Sequence, residues 1–401
     1  MVFDFLRNRK ERNFFWVLDI GTEAIKTLIC KKEENRIIIL GADLQYFDDH
    51  TFFGGQDSAE VILKKAILKS IEGALQRFSI ASKNKAGDHW KKWPIFLGLP
   101  SDILKARIFR YLFEKQNPKE KISKSEDQLI RKKCFEAAKD EISAKFTEET
   151  GILAKDIRWL RLGISERKIE GYQASDIIGL SGKELSFKVL AVFLGESYLR
   201  NIERILMGIG LKISKIAHIS ENLFSLQDIE MLDNIVFDAG GDIVQFFLFK
   251  NGELETINEF KIGGRIFSQK LSDVLGVSEE LARNLKEKYS NNGLNSRASE
   301  RIKEIFGIEK GYWKENLNSG LKNMDWEGLF PANVFIFGGG GKIPEIKDIL
   351  SDVFNQPFGK SKIIYPKDLS GFECYAKILD NPQYTPSLLI ANSIFNKLSI
   401  F

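Results

Sequence analysis

Short apolar runs, each closed by glycine, asparagine or a charge, recur along the chain at Phe14–Leu18, Thr27–Cys30, Ile37–Leu40, Ile95–Leu99, Phe187–Leu194, Ile235–Phe237, Phe246–Phe249 and Val334–Phe337. Runs of this length and punctuation predict buried strands. Between them, Ala59–Phe78, Ser125–Phe146, Tyr198–Ile209, Glu279–Lys288 and Pro344–Phe354 carry apolar residues at helical spacing. Strands and helices alternating at this interval predict a layered α/β architecture.

Two stretches follow one plan. VLDIGTEAIKTLIC and VFDAGGDIVQFFLF each place a strand ending in Asp before a turn of Gly and a second small residue, Asp19-Ile20-Gly21-Thr22 and Asp238-Ala239-Gly240-Gly241. A second strand and a polar turn into a third follow in each, with Asn251-Gly252 suited to the φ > 0 positions of a tight hairpin. The repetition predicts an internally duplicated protein.

Composition narrows the class without changing the picture. Of 401 residues, 43% are apolar and 28% charged, as in ordinary globular chains. Lys+Arg 59 against Asp+Glu 55 gives +4, too balanced for a protein that coats nucleic acid, so no nucleic-acid partner is expected. Cys30, Cys134 and Cys374 stand in unrelated contexts beside only three histidines, which argues against a disulfide framework or a Cys/His zinc site and makes a reducing cytoplasm the expected compartment. No run reaches the roughly 18 apolar residues of a membrane-spanning helix. Charge does concentrate locally: Lys105–Lys133 holds ten Lys/Arg against four acids, a net of +6, which reads first as a solvated helix face and loop and otherwise as an inserted subdomain with an anionic neighbour.

The duplicated turns suggest chemistry. A strand ending in Asp before a glycine-containing turn lets backbone N–H groups approach a phosphate chain, while the Asp is placed to hold Mg²⁺, usually through water. Two such turns facing each other would clamp a triphosphate. A third element, Val334–Phe337 running into Gly338-Gly339-Gly340-Gly341 and then a helix, removes side chains that would block a ring or a phosphate. It is neither a P-loop nor a G-x-G-x-x-G dinucleotide turn.

These three motifs resemble the phosphate-1, phosphate-2 and adenosine motifs of the actin-like ATPase superfamily, and within it the chain is most similar to the bacterial cell-division family FtsA. Further likeness lies in Lys168–Leu185, read as the segment re-entering the first domain, in Phe260-Lys261-Ile262-Gly263-Gly264, and in Val277 to Tyr289. The resemblance implies an α/β, duplicated actin-like (ribonuclease H-like) two-domain fold with an inserted α+β SHS2-type subdomain. It places an N-terminal tail at 1–13, domain 1A at 14–82 plus 179–232, the inserted 1C subdomain at 83–178, domain 2A at 233–268 plus 331–401 with the final helix returning toward 1A, and domain 2B at 269–330. It implies ATP held by Gly21, Thr22, Lys26, Gly240, Gly241, Lys286, Gly338, Gly339 and Gly340, with Mg²⁺ at Asp19 and Asp238. It implies self-association into filaments, the FtsZ C-terminal peptide as partner, and a peripheral position on the inner face of the cytoplasmic membrane at the division site.

The chain also departs from the family pattern. Asp242, Ile243 and Val244 stand where the phosphate-2 turn usually has a third Gly and two hydroxyls, and Arg283 stands where a ribose-contacting Glu is usual. A bare Asp242 charge about 4 Å from a phosphate would cost on the order of 4 kcal/mol at an effective dielectric near 20 unless a cation compensated. Weak ATPase activity or none is therefore expected. Pro386 to Phe401 resembles the family's last domain helix plus a few residues, without the linker and amphipathic membrane helix that usually follow it. The membrane contact is expected instead at Val2, Phe3, Phe5 and Leu6 with Arg7, Arg9, Lys10 and Arg12. A PilM-like protein of type IV pilus assembly, binding a partner's cytoplasmic peptide, shares this pattern and is the alternative. A sugar-kinase-like enzyme on the same fold lacks any evident second carboxylate motif for a substrate.

Overall fold

The structure, a computed structural model, describes residues 13–47, 57–82, 87–229, 233–324, 330–331, 333–354 and 361–395. In chain order the elements are β1 (Phe14–Ile20), β2 (Ala24–Glu33), β3 (Arg36–Tyr46), α1 (Asp57–Ser82), β4 (Ile95–Gly98), β5 (Lys105–Glu114), α2 (Lys124–Thr150), β6 (Ile157–Ile169), β7 (Tyr172–Gln173), β8 (Glu184–Gly195) and α3 (Glu196–Met207). They continue as β9 (Ile213–Ile216), β10 (Asn234–Ala239), β11 (Val244–Lys250), β12 (Glu253–Phe260), α4 (Arg265–Leu275), α5 (Glu279–Ser290), α6 (Ser296–Lys322), β13 (Asn333–Phe337), α7 (Pro344–Val353), β14 (Ser361–Ile363), β15 (Phe372–Cys374) and α8 (Thr385–Asn392). The described residues fall into two compact units, the smaller spanning Asp102–Ile202 and the larger the chain on either side of it.

The larger unit holds two sheets of the same design. One runs β15-β3-β2-β1-β4-β9, the other β12-β11-β10-β13-β14. With the edge strand β15 set aside, both have an antiparallel meander of three strands followed by two strands added in parallel beyond the first. The repeated sequence plan is therefore a repeated topology. The hairpin expected at Asn251-Gly252 has positive φ at both residues, 51° and 75°. In the second half, Phe237, Phe246, Phe267, Phe306 and Trp313 are fully buried and join strands β10 and β11 to helices α4 and α6 in one core. Helix α8 returns from the second half to pack on β1, β2 and β4 of the first.

The smaller unit is a four-stranded sheet, β5-β8-β6-β7, with α2 packed on it. Helix α2 starts at Ser123, whose hydroxyl accepts from the Glu126 N–H, and ends at Gly151 in the left-handed region. It buries Ile130, Cys134, Ala138, Ile142 and Phe146 at one-turn spacing against Phe187, Val189 and Phe193 of β8.

Its boundaries differ from the expected 83–178. Residues Ile95–Gly98 are a core strand of the first large sheet, paired in parallel with Trp16–Asp19. At the other end Glu184–Gly195, expected in domain 1A, is flanked by β5 and β6 in the small sheet. The chain cannot leave this unit at 178, because Gly179 N–H donates to Ile122 O and Ile122 N–H to Leu180 O, both at 2.8 Å. The basic segment divides: Lys105–Glu114 is a strand, with Lys105 itself buried, in place of a helix face or loop, whereas Lys124–Lys133 opens α2 as a helix.

Candidate functional site

The two duplicated turns fold identically. Gly21 N–H donates to Ala24 O at 2.9 Å and Gly240 N–H donates to Ile243 O at 3.1 Å, closing equivalent tight turns between β1 and β2 and between β10 and β11. The strand registers extend the equivalence: Asp19 lies across from Lys26, and Asp238 across from Gln245. Thr22 thus corresponds to Gly241, and Glu23 to Asp242.

At the floor, Asp19, the penultimate residue of β1, is 6% exposed. Its Oδ2 meets Lys26 Nζ at 2.8 Å and accepts from Ser387 Oγ of α8 at 2.7 Å. Burial pushes the Asp238 carboxyl up to about 7, and the Asp19 charge pushes the same way against Lys26. Two carboxyls around one lysine, with one resisting ionisation, suit a site that takes up a cation.

The glycine turn lies directly above. Gly338 has φ 86°, and a Cβ on it would collide with Asp238 Oδ1 and the Ala239 carbonyl, so glycine is what lets this turn close over the second aspartate. Its N–H donates to Pro382 O at 3.1 Å, and Gly339-Gly340 open a short 3₁₀ turn with Gly340 buried against Ala239.

The turns also touch each other. Asp242 N–H donates to Thr22 Oγ1 at 3.2 Å. Arg265, the first residue of α4, donates from Nη2 to Thr22 O at 2.8 Å, and its Nη1 lies 2.9 Å from Asp242 Oδ1. This is the cation that the Asp242 departure required. Sequence reasoning missed it, although Gly263-Gly264-Arg265 at a helix start was visible as a place where backbone approaches backbone: Gly264 N–H donates to Gly240 O and Arg265 N–H to Gly241 O.

Lys286 is 6% exposed and donates to Gly264 O at 3.0 Å, tying α5 to the start of α4. Burial lowers its pKa, opposed by the nearby Glu23 and Glu287. Arg283, one turn earlier, lays its guanidinium 4.0 Å from the centroid of the Tyr46 ring. The Tyr46 hydroxyl donates to Glu287 and accepts from Gln383 Nε2. The structure therefore brings Asp19, Gly21, Thr22, Lys26, Asp238, Gly240, Gly241, Lys286 and the Gly338–Gly340 turn into one cluster where the duplicated halves meet. The apolar and basic residues expected at the membrane, 2–12, lie outside the described residues, as do 396–401.

Residues 235–388 match the family model of cell division protein FtsA. The likeness is to FtsA. Cell division protein FtsA of Streptococcus pneumoniae serotype 2 (strain D39 / NCTC 7466) is 20% identical over 367 residues, covering 85% of this chain and 74% of that protein. The FtsA match takes in the second turn, the Gly263-Gly264-Arg265 segment, the four-glycine turn and Ser387. Among solved structures, the PilM-PilN type IV pilus biogenesis complex superposes with a TM-score of 0.64 at 14% identity, over 95% of this chain and 98% of that one. This chain is therefore similar in sequence to FtsA, and its duplicated fold is similar to that of the solved PilM-PilN complex.

The cleft fits a metal-bound nucleotide in part. Among the described residues no group of three or more His, Cys, Asp or Glu side chains could hold a metal ion alone. Asp19 and Asp238 fit Mg²⁺ that keeps waters and phosphate oxygens as its other ligands. The Asp242 N–H is already given to Thr22, so a terminal phosphate reaching it would have to break that hydrogen bond. No described helix is long and apolar enough to cross a membrane.

Proposed function

We propose that this chain is an FtsA-like assembly protein that binds Mg-ATP between its duplicated halves, self-associates into filaments and links FtsZ, through its C-terminal peptide, to the inner face of the cytoplasmic membrane at the division site. The observation that carries the nucleotide part is the pair of equivalent turns whose strand-end aspartates share one lysine beneath a glycine turn. ATP and Mg²⁺ would be held by Asp19, Asp238, Lys26 and the backbone of Gly21, Thr22, Gly240 and Gly241, with Gly338–Gly340 against the base. Bound Mg²⁺ supplies charge neutralisation for the phosphates; the chain's own residues orient the nucleotide and couple it to the spacing of the two halves. Ile243 and Val244 offer no hydroxyl to position an attacking water, so the nucleotide acts chiefly as a conformational ligand.

A PilM-like role in type IV pilus assembly is the second reading, favoured by the structural likeness across nearly the whole chain. Co-sedimentation with liposomes and FtsZ, with and without ATP, separates the two. The division role predicts pelleting of FtsZ with liposomes only when this chain is present, strengthened by ATP. Liposome-bound chain that leaves FtsZ in the supernatant contradicts it and favours the pilus role.

A further inference from the structure

Arg265 reaches across the cleft and engages both duplicated turns at once. Its partners Glu23 and Asp242 hold equivalent places in the two turns, so one guanidinium bridges a pseudo-symmetric pair of carboxylates, at 3.6 Å from Nε to Glu23 Oε1 and 2.9 Å from Nη1 to Asp242 Oδ1. The side chain is 12% exposed. The longer of these contacts is an ion pair without a hydrogen bond, and Nε is buried with no hydrogen-bond acceptor among the described residues. A planar fork with a spare buried donor is poised to take a better-shaped anion. The backbone beneath it is fixed: a Cβ on Gly263 would collide with the Gly241 carbonyl, so the segment is pressed against the second turn and its approach to the cleft is set by packing.

We infer that Arg265 is the residue by which this cleft distinguishes a nucleoside triphosphate from a diphosphate: the terminal phosphate takes the guanidinium from Glu23 and Asp242 and thereby unlatches the two turns. The inference rests on the nucleotide reading of the cleft. Phosphate offers more charge than a carboxylate and a matching bidentate edge, so it competes well for arginine. The two hydroxyls missing from the second turn leave the terminal phosphate without side-chain donors there, and Arg265 is the donor the structure places at that turn. A diphosphate, lacking the outer group, leaves the latch closed.

The test is calorimetric titration of the full chain with Mg-ATP and with Mg-ADP, for wild type, Arg265→Ala and Arg265→Lys. The expected result is a wild-type preference for ATP that falls by at least about fivefold in Arg265→Ala, while ADP affinity stays within about twofold. Arg265→Lys, which keeps the charge and the packing of the stem but not the fork, should retain part of the preference. Equal weakening of both nucleotides in the two variants would make Arg265 a structural strap and overturn the inference, as would an unchanged ATP to ADP ratio. A wild-type chain that binds neither nucleotide overturns the inference and the nucleotide reading together.

Discussion

The charge state of Asp238 governs what its end of the cleft can hold. Burial, with the Asp19 charge adding to it, pushes this carboxyl up to about 7. A cation must displace that proton, so Mg-ATP affinity should rise between pH 6 and 7, by up to about tenfold per unit, and level off above. Asp238→Asn should weaken binding and flatten the profile. Folding stability runs the other way: a carboxyl that ionises near 3.8 when unfolded and near 7 when folded contributes stability that is lost as pH rises across that interval. Thermal melts of the nucleotide-free protein at pH 5 and 8 check that sign. At Gly338, substitution by Ala combines a φ of 86° with a collision against Asp238, and about 2 kcal/mol or more of destabilisation is expected, read as a lowered denaturation midpoint. Asp19, Asp238 and the glycines were legible in the sequence because a strand-ending Asp and a glycine turn are local patterns. Arg265 and Ser387 were not, since each matters through a partner 23 or more positions away, Arg265 at Asp242 and Ser387 at Asp19.

Among elements, α8 has an outsized part in the site. It is short and buried nearly throughout, and its Ser387 hydroxyl donates to Asp19, the penultimate residue of β1. Ser387→Ala should cost about 1.5–3 kcal/mol, the range for a hydrogen bond to a charged group, and should also weaken Mg-ATP binding by loosening Asp19; unfolding and titration of the same variant measure both. The strands were readable because buried apolar runs with glycine boundaries have few other interpretations. Helix α6 was not, although Ile302, Ile305, Phe306, Trp313 and Leu317 form a buried stripe, because Gly307, Gly311 and Gly320 interrupt it. At Gly320 the reason is packing: a Cβ there would strike the Phe260 ring. Strand β5 was obscured by its charges, whose long stems lie along the sheet while their ends find carboxylates and carbonyls, as Arg107 does with Glu149 and with Ala106 O.

At the scale of the whole molecule, duplication is the organising fact, since two halves with one topology place two equivalent turns at one cleft. The topology was legible from the repeated Asp-x-Gly plan, whereas the limits of the inserted unit were set by long-range strand pairing that no local pattern announces. The altered second turn predicts slow ATP hydrolysis, well under one turnover per second, against about 1–1000 per second typical of enzymes. Phosphate release assays on the full chain check this, and fast turnover abolished by Asp238→Asn would contradict it. The most direct measurement of the central claim is calorimetry of Mg-ATP binding to the folded full chain, alongside Asp19→Ala. Saturable binding that depends on Mg²⁺ and disappears in Asp19→Ala without loss of fold is the predicted result; no heat of binding at millimolar Mg-ATP in a folded wild-type sample is the result that would contradict it.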